Sequence, residues 1–419
     1  MTHHSLHGGD PSVLRRLNSA ATLRALRDGG EGTLSGLAGR VGLSRPTTEG
    51  VLAELIDRGL VAEDAPRPGA GLGRPARRYR FRAEAGHALG IDIDAHRVRL
   101  VVADLTGGVA GGHRADLDVQ APPGERIAGV RAAVKACLAA AGVERRSLWA
   151  VAAGTPGVVA PDGTVTSCTV VPGWEGVHLA RELGRSFSCP VLVENDANLA
   201  AMAERWRGAA RDVDDVVCVH AGLHTGTGAL IGGRLHRGRW GAAGEIGMLP
   251  EMGLRDTTAA LITGTDAGPE AASAALAELT SAARNMPCGD VPAGGGSAGS
   301  ARPALDHAGR VLEAAGWGAA EARAVVERLA ARMARGVAAM ALALDPEMIV
   351  VGGPLVRAGD LLVSELRRRV EPLCLSPVRI VASELGDESV GLGAVRLALD
   401  RIDEDLFRVD RPSDPSAKG

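Results

Sequence analysis

Three side chains in the run Ser44-Arg45-Pro46-Thr47-Thr48-Glu49 have the chemistry to read a base pair. A guanidinium such as Arg45 forks onto the acceptors of guanine, a carboxylate such as Glu49 accepts from the amino group of cytosine, and a hydroxyl such as Thr47 serves either edge. Farther on, Arg74, Arg77 and Arg78 stand in Gly73-Arg-Pro-Ala-Arg-Arg-Tyr-Arg-Phe81. Donors of that kind hold phosphate, which supplies affinity without sequence choice.

The surrounding residues supply the elements such chemistry needs. A helix is predicted over residues 13–27, with Leu14, Leu17, Leu23 and Leu26 as core positions. A second, short helix covers 33–41, and Gly42-Leu43 makes the turn. Ser44 is a good N-cap, and Pro46 is tolerated in the first turn of a third helix. That helix runs to about residue 58, with Val51, Leu52, Leu55 and Ile56 on one face, and Gly59 stops it. A strand starting at Leu60-Val61 pairs with residues 79–82 across a Gly/Pro/Arg loop. This is a helix-turn-helix with a wing. The third helix would enter the major groove by its N-terminal residues, and Arg74 would probe the minor groove. A protein-binding winged helix shares the outline, but the order of cap, turn, stop and basic wing favours DNA. So does charge: residues 1–86 carry 13 arginines against nine acids, a net of +4, so the remainder must carry −7 to give the chain's −3.

The 419 residues suffice for two or three domains. Aromatics are 2%, so the cores must be built from Leu, Val, Ile and Ala. No two of the six cysteines form a C-x-x-C pair, so reduced thiols in a cytoplasmic protein are expected rather than a metal knuckle or a disulfide framework. The opening residues hold no apolar run behind a basic segment, so no signal peptide is read. The longest apolar helix candidate, 324–344, is interrupted by Glu327, Arg328, Arg332 and Arg335 and is no membrane span.

Beyond residue 87, strands are predicted over 89–93, 98–104, 109–118, 149–153, 191–194, 215–220 and 348–351, with a hairpin over Gly232-Gly233 and helices over 124–141, after Asn195-Asp-Ala-Asn198 through Trp206, and over 321–344. Strands alternating with helices in two similar halves imply a two-lobed α/β body with a ligand cleft. The segment 267–303 reads as a flexible insertion rich in Ala, Gly and Ser.

Leu89-Gly-Ile-Asp-Ile93, Asp104-Leu-Thr-Gly107, Gly154-Thr-Pro-Gly-Val158, Glu194-Asn-Asp-Ala-Asn198, Ala243-Gly-Glu-Ile-Gly247 and Val350-Val-Gly-Gly-Pro354 together resemble a ROK-family transcriptional regulator. With the winged head the resemblance covers about residues 13–399. It implies an α/β body of the actin-like ATPase (ribonuclease H-like) fold, usually a homodimer or homotetramer, with a monosaccharide held between the lobes. Domains are drawn at 1–86 for the winged helix-turn-helix, 87–210 for the first lobe and 211–419 for the second, with the insertion near 265–305.

The resemblance makes Asn195 and Asp196 the strongest ligand candidates. In kinases of the family the matching Asp takes a proton from a sugar hydroxyl; in a sensor the same carboxylate hydrogen-bonds it. An Asp at a helix start is also a plain N-cap. Glu245, among glycines that let backbone approach a ligand, matches a sugar-binding Glu, or else is a solvated turn residue. Trp174 stacks on a sugar or fills the interlobe core, and core filling is preferred. Where zinc-containing relatives have a His after Gly-Glu-Ile-Gly and then a cysteine cluster, this chain has Met248 and no Cys or His over 249–260, so no metal is expected. Asp94 stands where a phosphate-binding glycine is expected, and at ~4 Å a like-charge contact costs about 4 kcal/mol. Leu223 and His224 interrupt the second phosphate loop. ATP use is therefore not expected, and no catalytic residue is assigned unless Asp196 serves a kinase. The reading is a repressor of double-stranded operator DNA with a sugar-sensing, catalytically silent body. The alternatives are an active sugar kinase that also binds DNA, a regulator with a decayed pocket, and a protein-interaction scaffold.

Overall fold

The computed structural model describes residues 11–64, 77–221, 225–255, 257 and 302–408. The head opens with α1 (Pro11–Gly29), β1 (Gly32–Thr33), α2 (Leu34–Val41) and α3 (Arg45–Asp57), then β2 (Val61–Asp64) and β3 (Arg78–Phe81). Each boundary has a local cause. Thr33 caps α2 by accepting from the Gly36 N–H, and Gly42 ends it in the left-handed region at φ 67°. Ser44 caps α3 by accepting from the Thr47 N–H. The strands form an antiparallel sheet in the order β1-β3-β2. The two-residue β1 has no signature in the sequence.

The expected core of α1 needs correction. Leu23 and Leu26 are buried with Leu37, Leu52 and Leu55, but Leu14 is 60% and Leu17 46% exposed. The apolar stripe of α1 runs on past the surface that α2 and α3 cover.

The body has the same wiring twice. In the first lobe, β4 (His87–Ile93), β5 (Arg97–Asp104) and β6 (Val109–Asp116) form an antiparallel meander. The helix α4 (Pro123–Ala141) then leads to β7 (Leu148–Thr155), parallel to β4. A small hairpin, β8 (Val158–Val159) and β9 (Val165–Ser167), and the short α5 (Leu179–Gly184) precede β10 (Val191–Asn195), parallel to β7. The sheet order is β10-β7-β4-β5-β6. The helix α6 (Asp196–Arg207) crosses to β11 (Val216–Ala221), β12 (Thr225–Ile231) and β13 (Arg234–Leu235), again antiparallel. Gly232 and Gly233, at φ 55° and 72°, make the tight turn expected there. After α7 (Arg302–Gly316) and α8 (Ala320–Leu344), β14 (Met348–Gly352) and β15 (Arg379–Ala382) add in parallel, with α9 (Asp360–Val370) between them. The second sheet is β13-β12-β11-β14-β15, the order of the first. Val326, Leu329, Met333 and Val337 of α8 are buried in this lobe's own core, with Ile349 and Leu366.

The last helix, α10 (Ser389–Leu406), returns to pack on β4, β5, β7 and α6. The span 211–419 is therefore not one lobe: its C-terminal helix completes the first. That packing is close enough to require glycine, since a Cβ on Gly393 would collide with the Leu199 carbonyl, and one on Gly90 with that of Gly391. No element is predicted from the sequence over the residues of α10. The expected insertion at 265–305 lies outside the described residues over all but its last four positions, where α7 begins.

Candidate functional site

The strand-to-helix joint at β10–α6 builds the polar centre. Asn195, not Asp196, is the N-cap: its Oδ1 accepts from the Asn198 N–H at 3.1 Å, and its Nδ2 donates to the Gly157 carbonyl at 3.0 Å. Glu194, 4% exposed, accepts from the Asn195 N–H and Asn198 Nδ2, each at 2.9 Å, and its other oxygen takes the Arg237 guanidinium. This frees Asp196, at the first helical position, to face an interlobe cavity of about 250 Å³. Asp94, Gly157, Asn195 and Asp196 of the first lobe line it, with Gly226 and Glu245 of the second. Asn195, Asp196 and Glu245 thus meet at one cavity, with Met248 at its rim.

Three nearby carboxyls resist ionisation. Burial pushes Asp196 up to about 8, and the negative charges of Asp92, Asp94 and Glu245 add to it. Burial also raises Asp92 to about 6, with Arg99 pulling it back, and raises Glu245. Raised in this way, Asp196 tends to hold its proton near neutral pH and can donate a hydrogen bond as well as accept one.

The neighbouring turn, where Asp94 stands, is firmly held. Its carboxylate accepts from the Ala95 N–H at 2.6 Å and lies 3.8 Å from Arg97. Beneath it, the buried Arg126 donates to the carbonyls of Asp94, Ala95 and Asp118 at 2.7–2.9 Å. Arg126 lies over Trp174, which is wholly buried and donates to Thr155 Oγ1 at 2.8 Å. Trp174 fills the core of the first lobe, rather than the interlobe core.

Sequence reasoning missed a chain of charges across the cleft. Arg99 pairs with Asp92 at 2.8 Å and with Asp387 at 3.4 Å, and Asp387 lies 3.7 Å from Arg357, in the segment after β14. The available signal was Asp92 and Arg99, charges inside two apolar strands. His220, at the end of β11, faces the same charges: burial lowers it to about 4, and its Nδ1 has no partner among the described residues. Leu223 and His224 lie outside those residues. Among the described residues, no group of three or more His, Cys, Asp or Glu is placed to hold a metal ion.

On the head, Arg45, Thr47 and Glu49 are exposed at the start of α3, while Thr48 is buried and donates to the Ser44 carbonyl at 3.0 Å. Arg77 pairs with Glu63 at 3.2 Å and Arg78 with Glu31 at 3.1 Å. The exposed Arg77–Glu63 pair is worth about 0–1 kcal/mol, so phosphate can displace it, while Arg78 and Glu31 are partly buried. Arg74 lies outside the described residues.

A helix-turn-helix on a twice-repeated α/β lobe, with an interlobe cavity where Asp94, Asp196 and Glu245 meet, defines a sugar-kinase-like body, of the actin-like ATPase fold, fused to a nucleic-acid-reading module. The chain belongs to the ROK family, whose model matches residues 88–401, and residues 18–65 match an IclR helix-turn-helix domain. It is 22% identical over 395 residues to the xylose repressor of Caldicellulosiruptor bescii, across 93% of this chain and 97% of that protein. It is 30% identical to the glucokinase of Thermotoga maritima over 60% of this chain and 80% of the enzyme. A ROK-family transcriptional regulator homologous to the E. coli MLC protein superposes with a TM-score of 0.65 at 18% identity, over 94% of this chain and 98% of that one. A Streptomyces griseus ROK glucokinase, solved with glucose and AMPPNP, gives 0.58 at 26% over 75% and 100%. No described helix is long and apolar enough to cross a membrane.

Proposed function

We propose that this chain is a DNA-binding transcriptional repressor whose ROK body senses a monosaccharide or a derivative of one. The observation that carries the reading is the convergence of Asn195, Asp196 and Glu245 on an interlobe cavity in a chain that also carries an exposed α3 N-terminus. The likeness to xylose repressors along nearly the whole chain supports it. The sugar's hydroxyls meet Asn195, Asp196 and Glu245. Arg45, Thr47 and Glu49 address bases, with Ser44 holding the helix start, while Arg74, Arg77 and Arg78 address phosphate. Two copies reading two half-sites would convert lobe closure into a change of operator fit, provided the ligand prefers one lobe arrangement.

The body is catalytically silent in this reading. Asp94 brings a carboxylate toward the place a nucleotide's phosphates would take, and the charge chain from Asp92 to Arg357 already spans the cleft. Sequencing the DNA fragments retained by the purified protein, with and without a sugar panel, tests the regulator. Sugar-independent retention throughout would mean a decayed pocket.

A second reading, an active sugar kinase, draws on the 30% identity to glucokinases and on Asp196 itself. ADP release over the same panel, abolished by Asp196→Ala, would establish it and overturn the first.

A further inference from the structure

The helix α10 touches both ends of the molecule. Its N-terminal half lies without spare room on the elements that line the cleft. Gly391 meets Gly90, two residues before Asp92 on β4, and Gly393 meets Leu199, one turn after Asp196 on α6. Its C-terminal end reaches the head. Phe407, 8% exposed, has two guanidiniums of α1 over its ring, Arg24 at 4.4 Å and Arg27 at 4.7 Å from the centroid. Arg27 also pairs with Asp403 at 2.7 Å, and Asp403 with Arg396 at 3.5 Å. Arg396 stacks over Trp206, at the far end of α6. One continuous buried cluster joins the head's Leu23, Leu52 and Phe81 to the body's Ala88, Leu199, Ile402 and Phe407.

We propose that α10 is the strut through which cleft and reading head communicate, and that Phe407, in contact with Arg24 and Arg27, is the positioning residue at its joint. A shift of α6 or β4 around a ligand has no slack to absorb it at Gly90, Gly391 and Gly393, so α10 must move with them. The Phe407 contacts and the Arg27–Asp403 pair pass that movement to α1, against which α3 packs. A two-state element biased from both ends is what coupling between distant sites requires. The inference builds on the ligand-sensing reading, but coupling is reciprocal, so it can be tested from the DNA side without any sugar.

The probe is a mixed-sequence duplex of about 30 base pairs at roughly 50 mM salt, where non-specific binding is strong. Hydrogen exchange is followed in the full chain with and without it. In the unaltered protein, DNA should change exchange in α10 and α6 by about fivefold or more. Phe407→Ala should keep its duplex Kd within about fivefold and lose that response, while Phe407→Tyr keeps both. An unchanged body response in Phe407→Ala, no body response in the unaltered protein, or a larger loss of DNA affinity would each overturn the proposal. Should Phe407→Ala fail to fold, Phe407→Leu, which keeps apolar bulk but offers no ring face to Arg24 and Arg27, should lose the response; a retained response overturns it too. Loss of sugar binding in a thermal-shift panel would sink only the sensing reading.

Discussion

Asp196→Asn is expected to stabilise the protein, and to do so more as pH rises. The amide keeps the carboxyl's shape and can accept from the Ala197 N–H, as Asp196 Oδ1 does at 2.8 Å. What it removes is a charge that the cleft resists. The native pKa of Asp196 is about 8, against ~3.9 in an unfolded chain. Native Asp196 therefore binds its proton more tightly than the unfolded residue, and its contribution to stability falls with pH. That contribution is fully present below about pH 4 and is lost progressively as pH rises through 8. At ~1.4 kcal/mol per unit, a gap of about four units sets a ceiling of ~6 kcal/mol. Asp196 is only half-buried at the cavity wall, so we expect about 2 kcal/mol of the ceiling to be realised at pH 9, a Tm gain of ~3 °C. The assay is thermal and urea unfolding of both proteins from pH 4 to 9. Parallel curves, or an unaltered protein that gains on the variant toward pH 9, would refute the argument.

Arg99→Met should cost about 3 kcal/mol by urea unfolding at pH 8, because it leaves the buried Asp92 carboxylate unpaired. The cost should shrink at pH 5, below Asp92's native value of about 6, where the group takes up a proton. Ser44→Ala should cost the head about 1 kcal/mol by removing the oxygen that accepts from the Thr47 N–H, and Ser44→Asp should restore most of it. Arg45→Ala should weaken binding to the best fragment by ~1–3 kcal/mol in competition assays, with a smaller loss on unrelated DNA.

The head was legible because its boundaries are local. Ser44, Gly42 and Gly59 act within a few residues, and each sits where its type implies. The two-lobed wiring was legible from strands alternating with helices; Asn195 and Asp196 were singled out by the motif resemblance, and Glu245 by that resemblance and its flanking glycines. What failed depends on distance along the chain. Leu14 and Leu17 share the apolar spacing of Leu23 and Leu26, and only tertiary packing leaves them uncovered. The bridge from Asp92 through Arg99 to Asp387 and Arg357 joins residues almost 300 positions apart, and no local pattern encodes it. The return of α10 to the first lobe is of the same kind. Trp174 was read correctly as core, but in the wrong place, because its partners Thr155 and Arg126 lie on other elements.

The most direct test of the account is the affinity of the selected DNA fragment, followed by fluorescence anisotropy with and without each sugar of the panel. The account predicts that at least one sugar shifts Kd by about fivefold or more and that Asp196→Ala abolishes the shift while leaving sugar-free binding intact. A Kd that no sugar moves, together with rapid ADP release from ATP and a sugar, would contradict it.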